Sequence, residues 1–298
     1  MGTPANRTGR SAGTAGSEYV VLRARADQAV AKEQEAVAEY QKAIKLSPEM
    51  ALSYINLGAS FLNLNQSKEA LAVLEQSIKL SPKDAEARYN LGIALERSGL
   101  PQEAAAAYRT AIQLKPALFQ AHYNLAGVLS KLGQQRETID AYKQALAIKP
   151  DDANAHFNLG VALIEMENWV EAVEAFKQAT KLRPEMADAW FNLGVAHEKL
   201  GQFEEEIAAS TQAIKLKPNW AEAHFNAGVA ASKLSRWREA VADFKQATEA
   251  TPDYAEAFFN LGIAYLNLGE PRLARQTHQS LKPLNADLAE KLLKLIEQ

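Results

Sequence analysis

The sequence predicts an all-α protein, an α-solenoid of helix–turn–helix units stacked in a row. Two combs of residues and one apolar pattern predict it. Asparagine recurs at Asn56, Asn90, Asn124, Asn158, Asn192, Asn226 and Asn260, each 34 residues after the last with no insertion. Proline keeps the same beat at Pro48, Pro82, Pro116, Pro150, Pro184, Pro218 and Pro252. Between the combs, apolar residues return at helical spacing. A fixed period in this range marks small units that cannot bury their apolar faces alone and must stack on their neighbours.

Taken in order, residues 1–16 are rich in Gly, Ala and Thr and carry Arg7 and Arg10 without an acid. They lack the apolar stretch of a secretory signal, and a disordered lead-in is expected; the basic composition also fits an organellar transit segment. Residues 17–50 miss the Asn-Leu-Gly signature but place Ala36, Tyr40, Ala43 and Pro48 like the second half of a repeat. They are expected as a degenerate capping repeat. Seven full repeats follow, at 51–84, 85–118, 119–152, 153–186, 187–220, 221–254 and 255–288.

Each repeat resolves into two helices. Trp190, Leu193, Gly194 and His197 are spaced i, i+3, i+4, i+7, and Ala104, Tyr108, Ala111 and Ile112 are spaced i, i+4, i+7, i+8. Both patterns draw an apolar stripe on a helix. A turn residue such as Gly99 or Gly201 separates the helices, and the recurring proline stops the second. Gly58, Gly92, Gly160, Gly194, Gly228 and Gly262 fall inside first helices, where each costs about 1 kcal/mol against Ala. Such a cost implies close approach of the paired helix. The expected partner is the small residue twelve positions later, at Ala70, Ala104, Ala172, Ala240 and Ala274. The last repeat drifts, with an early Pro283. Asn285 then caps a C-terminal helix, 285–298, with Leu288, Leu292, Leu295 and Ile296 on one side. A capping helix over the last exposed core is expected; a dimerisation helix is the competing use.

Totals exclude several classes. A formal charge of -3 and a pI near 6.0 give no electrostatic basis for nucleic acid or an anionic membrane. There is no cysteine, which removes disulfides, thiolate catalysis and Cys-ligated zinc. No apolar run approaches the roughly 18–20 residues that span a bilayer. The expectation is a cytoplasmic chain without membrane insertion.

Trp190-Phe191-Asn192-Leu193-Gly194, a second helix with alanine and aromatic slots, and a closing Pro218 together resemble the tetratricopeptide repeat family. The resemblance implies a right-handed superhelix whose first helices line a concave, peptide-binding face. Within that family the asparagine column is similar to the superhelical region of O-GlcNAc transferases, whose catalytic domain has no counterpart here. A carboxylate clamp for chaperone tails is not expected, because its slots hold Ala59, Val161 and Val195.

The histidines do not cluster. His122, His156 and His224 share the slot of Trp190, Tyr54 and Phe258, so they are read as repeat-packing residues. No His-Glu-x-x-His, phosphate loop or nucleophile elbow is present. The chain is therefore read as a non-enzyme with no cofactor and no metal. One local anomaly stands out. Glu206 takes the close-packed slot where alanine is the rule, and Ser210 replaces the aromatic four residues later. A buried carboxylate needs a partner or a raised pKa. Glu206 pairs with His197 or reaches out to water; the sequence leaves both open.

The candidate peptide-binding residues follow from the inner face. They are the asparagine column, the aromatics one residue before it (Tyr89, Tyr123, Phe157, Phe191, Phe225 and Phe259) and the bases seven after it (Arg97, Lys131, Lys199 and Lys233). Acids such as Glu86, Asp188, Glu222 and Glu256 lie four before it. Helix-dipole compensation and a partner-orienting rim both explain the charges. The amides likewise either bridge repeats or pair with a peptide backbone. The function expected is an adaptor that binds an extended protein or peptide segment. A self-associating scaffold, forming a homo-oligomer, is the alternative. A substrate-recognition arm for an enzyme supplied in trans, such as a glycosyltransferase, is the third reading.

Overall fold

Glycine and proline spacing dictates where the helices break. The computed structural model describes secondary structure for residues 11–298 and side chains from residue 29 onward. Sixteen helices and no strand occur among the described residues. The chain divides into two compact units at residues 134 and 135, taken separately below.

The first unit opens with α1 (Ser11–Leu46), followed by α2 (Ala51–Asn63), α3 (Ser67–Leu80), α4 (Ala85–Arg97), α5 (Pro101–Leu114) and α6 (Phe119–Lys131). Of the expected disordered lead-in, residues 1–10 lie outside the described residues and 11–16 are helical. Within the expected capping repeat 17–50, residues 17–46 lie in one 36-residue helix with no internal turn, and 47–50 form the turn into α2. The reason is visible in the chain: residues 17–47 hold neither Gly nor Pro, and Ala31 stands where other repeats turn. Val37, Tyr40 and Ile44 of α1 pack on the core built by Leu57, Phe61 and Leu74.

The second unit contains α7 (Gln135–Ile148), α8 (Ala153–Glu165), α9 (Trp169–Leu182), α10 (Ala187–Lys199), α11 (Phe203–Leu216), α12 (Ala221–Lys233), α13 (Trp237–Ala250), α14 (Ala255–Asn267), α15 (Pro271–Leu281) and α16 (Ala286–Ile296). Consecutive helices pack as helix–turn–helix pairs, as in a tetratricopeptide-type solenoid. Successive first helices, α8 to α10 to α12 to α14, also touch one another. No comparable approach joins successive second helices among the described residues. The first helices therefore line the inner side.

The turn between paired helices needs a left-handed residue at one repeated slot. Gly99, Gly133, Gly201 and Gly269 fill it with φ of 70 to 77°. Asn65, Glu167 and Ser235 fill it with φ of 55 to 57°, a conformation that costs a side-chain-bearing residue energy.

The helix-interior glycines have a different partner from the one expected. A methyl on Gly58, Gly92, Gly160 or Gly228 would stand 2.5–2.7 Å from Leu74, Tyr108, Phe176 or Phe244, sixteen positions later. The alanines twelve positions on line the same helix interface but do not fill the space over the glycine. Large side chains reach further than small ones, so bare backbone is required under a ring. At the end of the chain His278 holds the ring slot, and Leu292 of α16 covers Gly262 at 2.5 Å instead. Leu288 and Ile296 join that contact, while Leu295 is exposed and does not share their face. Asn285 caps α16, its side chain accepting from the Leu288 amide at 3.1 Å.

Gly194 is the exception. Its nearest neighbour is Ser210 Oγ at 3.1 Å, a small side chain able to turn aside. Gly160→Ala is expected to destabilise the protein by about 1–3 kcal/mol through overpacking. Gly194→Ala should be neutral or stabilise by up to about 1 kcal/mol through helix propensity. Urea unfolding of the two variants checks the contrast.

Candidate functional site

The inner face is assembled from the solvent-facing sides of first helices. In the second unit Phe157, Phe191, Phe225 and Phe259 are half-buried, with Val161, Val195, Val229 and Ile263 one turn on, also half-buried. Asn154, Asp188, Glu222 and Glu256 are exposed at one edge; Glu165, Lys199, Lys233 and Asn267 are exposed at the other. An apolar, ring-lined floor with polar margins results. The rings are wedged from behind: Phe157 meets Phe176 edge-on at 5.8 Å, and Phe225 meets Phe244 at 5.8 Å. Their positions are thus set by the same bulky residues that cover the glycines.

The asparagine column is not uniform. In the first unit Asn90 is buried, and Asn124 donates to the Tyr89 hydroxyl at 3.3 Å, bridging successive repeats. In the second unit Asn192 and Asn260 donate to the carbonyls of Asp188 and Glu256, four residues back on their own helices, at 2.8 Å. Their amide oxygens are left to solvent. Asn56 and Asn226 make no side-chain hydrogen bond among the described residues. Asn158 is also half-buried on this face.

The basic candidates divide along the same line. Arg97 donates to the Leu62 carbonyl at the end of α2, and Lys131 pairs with Glu96 at 2.7 Å. Both tie one repeat to the one before. Lys199 makes a loose 3.5 Å pair with Glu198, and Lys233 pairs with nothing among the described residues. Tyr123 meets Phe119 in a tilted contact at 5.8 Å, and Tyr89 lies 6.0 Å from Tyr108. The first unit's inner face is therefore tied together by bonds between repeats, whereas in the second unit Asn192 and Asn260 bond within their own helices and Lys233 makes no ion pair among the described residues.

Two groove residues were missed by the sequence reading. Trp220, at the start of α12, stacks on Phe191 at 4.5 Å, and Tyr254, at the start of α14, covers Phe225 at 5.0 Å. They occupy one slot of the same 34-residue comb, just ahead of each first helix, and that slot was the signal available. A hollow of about 520 Å³ adjoins Trp220, lined by Lys217, Pro218 and Asn219.

The histidines have one repeated task. Nε2 of His122, His156 and His224 lies 2.9 Å from the carbonyl of Pro116, Pro150 and Pro218, and Trp190 Nε1 lies 2.8 Å from that of Pro184. A carbonyl only accepts, so each ring nitrogen carries the proton. These rings staple the closing proline of one repeat to the first helix of the next.

Glu206 satisfies neither sequence reading. His197 Nδ1 is 2.6 Å from Gln202 Oε1, not bonded to Glu206, so the proposed pair does not form. Nor does Glu206 reach water, being 1% exposed with both carboxylate oxygens unpartnered. The missing ring at Ser210 leaves the side chain a place to fold inward. Burial, with Glu198 adding and Lys199 opposing, raises its pKa from 4.5 to about 8.

A tetratricopeptide repeat model matches residues 55–118 and 158–221, and a second TPR repeat model matches 128–167 and 232–269. Among solved structures, the chain is similar to YrrB, a TPR protein with an unusual peptide-binding site. They share 27% identity with a TM-score of 0.57, over 62% of this chain and 95% of that one. MamA from Desulfovibrio magneticus RS-1 is 27% identical with a TM-score of 0.52, over 56% of this chain and 95% of that one. No curated protein matches the sequence.

A folded-state pKa above the unfolded value means that the neutral acid is the tolerated form. Stability from this site is complete below about pH 4.5 and is lost as pH rises toward about 8. The loss is about 1.4 kcal/mol per pH unit within that window. Unfolding free energies between pH 5 and 8 should fall with pH in the wild type, with a clearly flatter slope in Glu206→Gln.

Proposed function

This chain belongs to the tetratricopeptide repeat family, and from that premise we propose that it is a non-catalytic adaptor whose inner face binds an extended segment of a partner protein. The carrying observation is the row of half-buried rings Phe157, Phe191, Phe225 and Phe259, one per first helix, beside the Asn192 and Asn260 amides, which bond only to their own helices. Likeness to YrrB, a protein with a peptide-binding site, supports the choice of a peptide ligand.

The spacing suits such a ligand. Packed helices stand roughly 8–10 Å apart and an extended chain rises about 3.3 Å per residue, so one amide meets about every third residue. Each hydrogen bond contributes a net of about 0.5–1.5 kcal/mol, while ordering a residue costs about 1–2. Backbone pairing therefore only offsets the ordering, and affinity comes from side chains entering the ring-lined floor. Moderate, adaptable binding is the consequence. Service as a recognition arm for an enzyme supplied in trans is a narrower form of the same reading.

Asn192→Ala combined with Asn226→Ala should reduce partner affinity about tenfold, the loss of two such bonds. Its melting curve should stay close to the wild type's, since neither amide bridges repeats. Affinity capture with mass spectrometry, wild type against the double variant, is the test. Equal capture of every partner would overturn groove binding. Light scattering over a concentration series tests the scaffold alternative, which requires the mass to grow with concentration.

A further inference from the structure

The second unit contains one internal example of cation capture. Lys217 Nζ lies 4.4 Å from the centre of the Trp220 ring and 2.8 Å from Asp188 Oδ1. Trp220 is itself stacked on Phe191. The result is a ring-and-carboxylate box occupied by the chain's own ammonium group.

The neighbouring repeats carry the same slots with different occupants. One repeat earlier the acid is replaced by Asn154 and the ring by Met186, and Arg183 bonds to the amide oxygen at 2.9 Å. One repeat later the ring is Tyr254, seated on Phe225 at 5.0 Å, and the acid is Glu222. The cation slot there holds Thr251, which cannot supply a charge. The loop is also more acidic, with Asp253 where the previous repeat has Asn219. Neither Glu222 nor Glu256 makes an ion pair among the described residues. Burial first, then the charges of Glu222 and Glu256, raise the Tyr254 pKa. The ring pair and the acids thus recur here, and the residue in the lysine slot is the uncharged Thr251.

Resting on the groove reading above, we infer that Tyr254, Phe225 and Glu222, with Glu256 beside them, form a recognition site for a lysine or arginine side chain of the bound segment. The partner segment is basic at the point where it crosses α12 and α14. A cation over an aromatic face is attracted by the ring's negative centre, and the carboxylate fixes its approach. The site is solvent-exposed, as Lys217 and Asp188 are, so its share of affinity is modest, about five- to tenfold per cation.

The test uses the full chain and three nine-residue peptides, alternating serine with lysine, glutamine or glutamate, measured by calorimetry. The lysine peptide should bind at least about fivefold tighter than the glutamine peptide, and the glutamate peptide weakest. Thr251→Lys, which supplies the cation found one repeat earlier, should abolish that preference, as should Glu222→Gln. Lys217→Thr should strengthen lysine-peptide binding by opening a second box, a gain that misfolding cannot produce. Equal binding of the lysine and glutamine peptides, or a preference that survives Thr251→Lys, would overturn the inference. If equal binding is also lost in the Asn192→Ala/Asn226→Ala variant, the groove reading stands without the cation site. If none of the peptides binds, the cation site falls, and partner capture decides the groove reading separately.

Discussion

The pairs α2–α3, α4–α5, α8–α9 and α12–α13 depend on one contact, a large side chain of the second helix seated directly on the bare backbone of a first-helix glycine. Tyr108 over Gly92, Phe176 over Gly160 and Phe244 over Gly228 are versions of it, with the three rings fully buried. The helix-propensity cost of each glycine, about 1 kcal/mol, is exceeded by burying a ring worth about 1.5–3 kcal/mol. The contact sets how closely the two helices approach. It also decides which side of the first helix is left over, and that leftover side is the inner face.

The two faces of a first helix are mechanically linked. Phe157 and Phe225 touch the buried rings from the groove side, so the floor that a ligand would meet rests on the core contact. The α10–α11 pair departs from this scheme. Ser210 has no ring to offer Gly194, and Glu206 is turned into the space without a partner. An unpaired buried carboxyl and an unfilled contact both weaken packing. This pair sits in the middle of the second unit's inner face, between the Phe157 and Phe225 helices. Its Phe191 floor ring is held instead by Trp220, the last residue of the same repeat, just ahead of α12.

Much of this was legible because a strict period turns sequence columns into spatial columns. Helix pairs, the turns at Gly99 and Gly201, the Asn285 cap and the half-buried aromatic column all follow from residue type and spacing. What escaped was governed by side-chain reach. Spacing placed the alanines twelve residues on against the glycine, but a ring four residues further extends over it. Spacing put His197 across from Glu206, yet a nearer Gln202 took its Nδ1. Trp220 and Tyr254 were passed over because their slot holds different residue types in different repeats, from Asp84 and Asp152 caps to Met186. The long α1 was signalled by the absence of a turn residue, a negative feature overshadowed by the match of Tyr40 and Pro48 to the repeat.

Native-state hydrogen exchange tests the central claim most directly, because it reports the opening free energy of each helix pair separately. Amides of α10 and α11 should exchange faster than those of α8–α9 and α12–α13, whose Phe176 and Phe244 cover their glycines. Equal or greater protection in α10–α11 would show that ring-on-glycine packing is not what holds these pairs together.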